Sequence, residues 1–472
     1  MGRGKKWGRA SLFIITLAFS LCGCQQGEDA GIQEMVAATE GPAGLWEDKW
    51  TAAIDGGKSI PVQMKCEISG SDNQPDSIVD VTSMEIDSNN KERIAKGAFG
   101  NEVYLFDAEH MCERDLRQRL SREEEVLKKG YNTLEYVQVS HPEAVKEYRK
   151  KTIAELKRRV DRAKKLLNTA PKEPVPAQDG EYDGNSYMGY IDDIAFRLEF
   201  TPRTRGNKAH KVSDYTWWRY WDTSTEASNI ELLPVDIKGF APEELQDAWE
   251  IMTDGLVMET SFLNVCDLSE EEAEEKAVDM LQRLGFTDMV KVSARDLVWM
   301  GVDMNDNSWD ADSIADGYVF NFQTGVDGNV LDVFEDEIRN DLPYGKEEIQ
   351  VQVNDKGIVK VIINYPIQVG SITPNVKLLE LEDVKDMLQT QLPTYISMYV
   401  EGYEKSREEE PSINNFRGTY LQLLYGRIND PEDPRHFTYV PVWELTGYFD
   451  RVDMVKFYVN GIDGSYITLD FR

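Results

Sequence analysis

The sequence predicts an α+β fold: repeated units of a helix plus an antiparallel β-meander, preceded by an N-terminal α+β unit containing a helical hairpin. Three observations predict it. A helix with an acidic start followed by short apolar runs occurs twice, from Ser269 and from Glu380. Asn354-Asp-Lys-Gly357 and Asn460-Gly-Ile-Asp-Gly464 are hairpin-type turns between such runs. Two apolar stripes at helical spacing adjoin one another between residues 112 and 168. Hairpin-linked strands with helices on one face fit this order better than a doubly wound parallel sheet.

In chain order, residues 46–110 alternate apolar and polar positions, as in Ile60-Pro-Val62-Gln-Met64-Lys-Cys66-Glu-Ile68 and Glu102-Val-Tyr104-Leu-Phe106. These are expected strands, with Ser88-Asn89-Asn90 as a turn between them. From Cys112 to Lys129, Leu116, Leu120, Val126 and Leu127 fall near helical spacing, and Gly130 is the expected C-cap. Pro142 suits the first turn of a second helix, whose stripe runs Val145, Tyr148, Thr152, Leu156, Val160, Ala163 and Leu167. This helix, 142–168, is the strongly basic part of the mature chain, with Lys146, Arg149, Lys150, Lys151, Lys157, Arg158, Arg159, Arg162, Lys164 and Lys165. Such a face pairs with acidic neighbours, faces an anionic membrane or docks an acidic partner helix. The segment Ala170-Pro-Lys-Glu-Pro-Val-Pro176 then has the composition of a stiff linker.

Ser269 is an N-cap with an acidic first turn behind it, and its helix continues through Leu284 to Gly285. Strands are expected at 289–292, 297–302, 318–323, 350–353 and 359–365. A helix over 380–400 precedes further strands at 418–427, 438–449, 455–460 and 466–469. The expected organisation is therefore 1–23 signal peptide, 24–45 flexible tether, 46–170 N-terminal α+β unit with the basic helix, 171–186 Pro-rich linker, 187–380 central α+β unit and 381–472 C-terminal helix plus meander.

Location is written at the N-terminus. Arg3, Lys5, Lys6 and Arg9 precede the apolar run 11–21, which ends in Leu21-Cys22-Gly23-Cys24. A charged start, a short apolar segment and small residues at its exit make an export signal, and the run falls short of the roughly 20 residues of a membrane span. Leu21 and Gly23 before Cys24 resemble the lipobox of bacterial lipoproteins, which implies that Cys24 carries a diacylglyceryl group and becomes the mature N-terminus.

The chain has a formal net charge of −33, and removal of 1–23 with its four basic residues makes it −37. So acidic a protein repels phosphate backbones, which excludes nucleic acid as a partner. With Cys22 removed and Cys24 modified, Cys66, Cys112 and Cys266 remain, allowing at most one internal bridge, for which Cys66 and Cys112 are the candidate pair.

The lipobox, the unit from Ser269 through Leu284-Gly285-Phe286, the segment Glu347-Glu-Ile-Gln-Val-Gln-Val-Asn-Asp-Lys-Gly-Ile358 and Tyr439-Val-Pro-Val-Trp443 together resemble an uncharacterised family of Gram-positive lipoproteins. The C-terminal half is also similar to the extracytoplasmic regulators of the YycG sensor kinase and to PepSY-like modules. The resemblance implies an α+β protein that is not an enzyme, and it supplies no functional residues.

Catalytic signatures are absent from the sequence: it has no G-x-S-x-G, no H-E-x-x-H, no P-loop and no dinucleotide-binding glycine fingerprint. His110, His141, His210 and His436 are scattered without ligand spacing. Asp303, Asn305 and Asn307 supply oxygens at alternating positions as a calcium loop does, but Ser308 and Ile314 stand where that motif needs Gly and Glu, which favours a polar loop. Trp217, Trp218, Tyr220 and Trp221 are candidate ligand-binding residues, since aromatics on both faces of a strand serve the core on one side and offer a platform on the other; burial on both sides is the competing outcome.

The resulting expectation is a membrane-anchored, exported lipoprotein with no cofactor, held by the Cys24 lipid at the extracytoplasmic face of the cell membrane. Its ectodomain binds or regulates, with an envelope protein as the possible partner. A carbohydrate-binding protein or an acid/base hydrolase is the alternative.

Overall fold

The computed structural model describes residues 49–55, 60–69, 74–107, 109–129, 142–180, 182–204, 210–211, 217–218, 226–245, 250–253, 263–302, 313–331, 345–406, 415–430, 432–433, 435–449 and 454–471. Its helices are α1 (Ser88–Phe99), α2 (Glu113–Lys129), α3 (Pro142–Leu166), α4 (Glu270–Leu284) and α5 (Leu381–Ser406). Two large sheets accompany them, and the fold is α+β as the sequence predicts.

The central sheet runs in the order Glu250–Thr253, Met289–Val302, Ser313–Val326, Glu348–Asn354, Gly357–Asn364, Glu226–Pro234, Ile194–Thr204, Ser186–Ile191, Tyr104–Leu105, Val175–Pro176, with antiparallel neighbours throughout. The terminal sheet gathers both ends of the chain: Lys49–Asp55, Pro61–Ser69, Phe416–Asn429, His436–Phe449, Met454–Asn460 and Tyr466–Phe471. Ile78–Ser83 joins it between His436–Phe449 and Ile367–Thr373. Pro61–Ser69 lies parallel to Phe416–Asn429, a pairing that no hairpin could make.

This topology corrects the expected division of the chain. Residues 46–170 are no separate unit, because Pro61–Ser69 and Ile78–Ser83 hydrogen-bond to strands of the C-terminal meander, with Lys49–Asp55 paired to the first of them, while α1 and Tyr104–Leu105 belong with the central sheet. Part of the expected linker is a strand, since Val175–Pro176 pairs with Tyr104–Leu105. Ser88-Asn89-Asn90 opens α1 instead of turning between strands: the Asp87 carboxylate accepts from the Asn90 amide as an N-cap. The strands expected at 289–292 and 297–302 are one, Met289–Val302, bent at two register shifts. The expected C-cap Gly130 lies outside the described residues.

Apolar alternation explains how the layers close. Ile349, Val351, Val353, Val359, Val361 and Ile363 turn one face of the central sheet toward α1 and α4, which bury Ile94, Ala95, Ala98, Ala273, Ala277, Leu281 and Leu284 against it. The two helices meet at Gly97, where a Cβ would lie 1.9 Å from the Arg283 carbonyl oxygen. Each then caps the other's C-terminus: Arg93 donates to Leu284 O at 2.9 Å, and Arg283 donates to Ala98 O at 2.7 Å. Helix α4 has both of its expected ends, a capping box between Ser269 and Glu272 and a left-handed Gly285. On the terminal sheet, Val384, Leu388, Leu392 and Ile396 of α5 cover Leu421, Trp443, Leu445, Phe457 and Val459.

The sheets join through a third core of Val79, Val81, Val326, Leu331, Tyr365, Ile367, Tyr425, Phe437 and Tyr439. The chain passes from the central to the terminal sheet through Tyr365 and Pro366, and Met84 N donates to Pro366 O at 2.8 Å.

Candidate functional site

Several residues singled out in the sequence lie outside the described residues: Cys24, His141, Tyr220, Trp221, Asp303, Asn305 and Asn307. Trp217–Trp218 form a short strand paired with His210–Lys211, and the described backbone ends there on both sides. His110 is exposed and bonded to Asp107 at 2.8 Å, and His436 faces Asp430 at 3.3 Å, so neither joins a ligand cluster.

The candidate Cys66–Cys112 bridge is not formed. Both are free, buried thiols in different places: Cys66 packs in the core under α5, while Cys112 donates to the Asp115 carboxylate at 3.1 Å beside α2. Burial pushes the Cys66 thiol up to about 12, which makes it an inert apolar filler.

Three segments remote in sequence bring together a group that sequence spacing does not reveal: Cys266, Asp316 and Asp355, with ligand atoms all within 4.8 Å of one another. Asn264 fixes the first segment against the sheet, donating to Asp296 Oδ1 and Gly317 O, both at 2.8 Å, and accepting from the Cys266 amide at 3.1 Å. Asp355, in the two-residue turn before Gly357, accepts from Cys266 Sγ at 3.0 Å, Asp267 N at 3.1 Å and Leu268 N at 3.0 Å. Burial opposes ionisation of Asp355, but these donors outweigh it and leave its carboxyl below the ordinary carboxylate value.

The same geometry acts oppositely on the thiol. Burial, then the hydrogen bond to Asp355, push Cys266 up to about 12. Burial and the Asp355 charge also raise Asp316. A protonated thiol is a poor nucleophile, and a metal would have to displace both the thiol proton and the donors already seated on Asp355. The cluster is a hydrogen-bonded anchor that holds the start of α4 against the Asn354–Gly357 hairpin.

Basic helix α3 is the second feature. It packs along α2, burying Leu156, Val160 and Ala163. Arg159 reaches Glu123 at 2.6 Å, Lys164 reaches Glu124 at 2.6 Å and Arg162 reaches Glu109 at 3.4 Å, so pairing with acidic neighbours accounts for part of the basic face, on both sides of the buried stripe. Arg158 is tied to Glu155 within the helix.

Besides Glu123, two glutamates are buried among the described residues. Glu444 accepts from Lys456 Nζ and Gln422 Nε2, both at 2.8 Å, within the terminal sheet. Glu347 instead links the sheets through backbone donors: Thr324 N at 2.7 Å and Ile367 N at 3.1 Å. Burial drives its carboxyl up to about 7 against those two amides. Nothing in the sequence distinguishes it, since it stands beside Glu348 in an ordinary strand start.

Among the described residues, no helix is long and apolar enough to cross a membrane. No protein-family model and no curated protein matches the chain. Among solved structures, the chain is similar to an uncharacterized protein from Eubacterium rectale at 11% identity and a TM-score of 0.35, over 89% of this chain and 96% of the other. It is also similar to the Bacillus megaterium YpeB C-terminal domain at 11% identity and a TM-score of 0.20, over 58% of this chain and 89% of that domain.

Proposed function

We propose that the protein is an exported lipoprotein, anchored through Cys24, whose α+β ectodomain binds or regulates a partner at the outer face of the cytoplasmic membrane without catalysing a reaction. The observation that carries this reading is the segment Leu21-Cys22-Gly23-Cys24 after a basic start and an apolar run. Two acyl chains, each methylene contributing about 0.8 kcal/mol, suffice for stable attachment without help from the protein surface. Cys266 and Asp355 of the thiol and carboxylate cluster are committed to hydrogen bonds that hold the fold, which fits a binding role better than a catalytic one.

The test is crosslinking and pull-down from native membranes with the lipidated chain, using Cys24→Ala as the untethered control. Recovery of the wild-type chain in the membrane fraction, loss of the variant from it, and a specific envelope protein joined to the tethered form are expected. Membrane recovery of both chains alike would overturn the anchor. Retention on cell-wall glycan with no protein joined would overturn the choice of partner.

A further inference from the structure

Helix α3 has an outer face that its ion pairs with α2 do not use. Leu156, Val160 and Ala163 define its buried side; at 3.6 residues per turn Lys151, Arg158, Asp161 and Lys165 lie opposite it, and Lys150 and Lys157 stand about a quarter turn from it, on the stripe that continues to Lys164. Lys150, Lys157 and Lys165 are exposed and have no ion pair among the described residues. Arg158, 74% exposed, stands between them. With a rise of 1.5 Å per residue, these lysines form a row about 22 Å long.

We propose that this row is the surface by which the folded body rests on anionic lipid, so that α3 orients both sheets relative to the membrane. The inference rests on the lipid-anchor reading above. Its second support is the charge of everything else: the chain from Cys24 onward carries a formal −37, so faces without such a row are repelled by an anionic surface. Interactions reach only about 10 Å at ordinary ionic strength, so the groups nearest the lipid decide the orientation.

Side-chain chemistry favours lipid over an acidic helix. Lysine ammonium groups act as hydrated point charges suited to diffuse attraction, whereas Arg159 and Arg162 are each turned to a glutamate. At about fivefold per basic residue near the surface, three lysines bias the orientation by about a hundredfold at low salt.

The full lipidated chain would be reconstituted into vesicles of phosphatidylcholine alone or with phosphatidylglycerol, and lysine acylation by a membrane-impermeant reagent followed by mass spectrometry. Lys276 on α4, also exposed, is the internal control. Slower acylation of Lys150, Lys157 and Lys165 only in the anionic vesicles, reversed near 1 M salt where screening is about 3 Å, is expected. The triple Lys→Glu variant at these positions should lose the effect at its remaining basic residues, and the triple Lys→Gln variant, which avoids new repulsion within the helix, should do the same. Equal acylation in both vesicle types would overturn the proposal, as would protection confined to native membranes, which would identify an acidic protein as the occupant. A chain that fails to float with either vesicle type would instead overturn the anchor.

Discussion

The junction between the sheets and the α2–α3 hairpin each bury a glutamate, and they compensate the charge in opposite ways. Glu347, 4% exposed, is held by the Thr324 and Ile367 amides, one from each sheet, and by the Thr324 side chain, with no cationic partner among its interactions. Glu123, 6% exposed, has the guanidinium groups of Arg119 and Arg159 on one oxygen, while its other oxygen is buried without a partner. Backbone dipoles are fixed by the fold and cannot neutralise a full charge, so the junction is stiff and sensitive to protons. Guanidinium groups neutralise the charge but stand 37% and 49% exposed, so the hairpin is sensitive to salt.

The strongest way to break the comparison is Glu347→Leu. The junction would keep its volume and lose the acceptor for two buried amides, at roughly 1–3 kcal/mol for each stranded donor, or about 4 kcal/mol in all. Urea unfolding measures it, and a loss below about 1 kcal/mol would mean that the carboxylate does not hold the sheets together. Next in size is the proton dependence. The Glu347 carboxyl ionises near 4.5 unfolded and at about 7 folded, so between those values the folded state binds more protons. Its contribution to stability is complete below pH 4.5 and is lost as pH rises through 7, a fall of about 3 kcal/mol at 1.36 kcal/mol per unit. Glu347→Gln removes the titration, so the difference in stability between variant and wild type should climb in the variant's favour from pH 4.5 to 7 and then level off. A difference that is flat with pH would assign the proton dependence elsewhere.

Sequence made the regular parts of this fold legible and the long-range ones opaque. Helix α4 was accessible because its two ends are local: Ser269 and Glu272 cap each other, and Gly285 takes the left-handed conformation. The start of helix α1 reads as a turn in sequence because Asp, Ser and Asn serve turns and N-caps alike, and its stripe of Ile94, Ala95 and Ala98 is short. Alternation located Pro61–Ser69 as a strand but says nothing of its partner, so its parallel pairing with Phe416–Asn429 and the resulting merger of the chain ends were invisible. Site residues divide the same way. The basic helix follows from composition, while Cys266, Asp316 and Asp355 come from three segments whose separations match no motif. Glu347 is special only because folding places a carboxylate where two sheets meet.

The hairpin supplies the smaller effect and the sharper contrast. Glu123→Gln keeps the side chain's shape and removes its charge, and it leaves the partly exposed Arg119 and Arg159 free to turn to water. The expected cost is about 1–2 kcal/mol, between the value of an exposed pair and the loss of a buried one. Because α3 packs on α2 through few apolar residues, the loss should appear as local opening, with α3 amides exchanging about tenfold faster and strand amides around Glu347 unchanged. Raising salt toward 1 M should speed exchange in wild-type α3 while leaving the variant's nearly constant, since the variant has already lost the interaction that salt screens. Equal salt responses in the two chains would show that Leu156, Val160 and Ala163, and not the guanidinium pairs, hold the hairpin closed, and the contrast with the sheet junction would then be one of packing instead of charge.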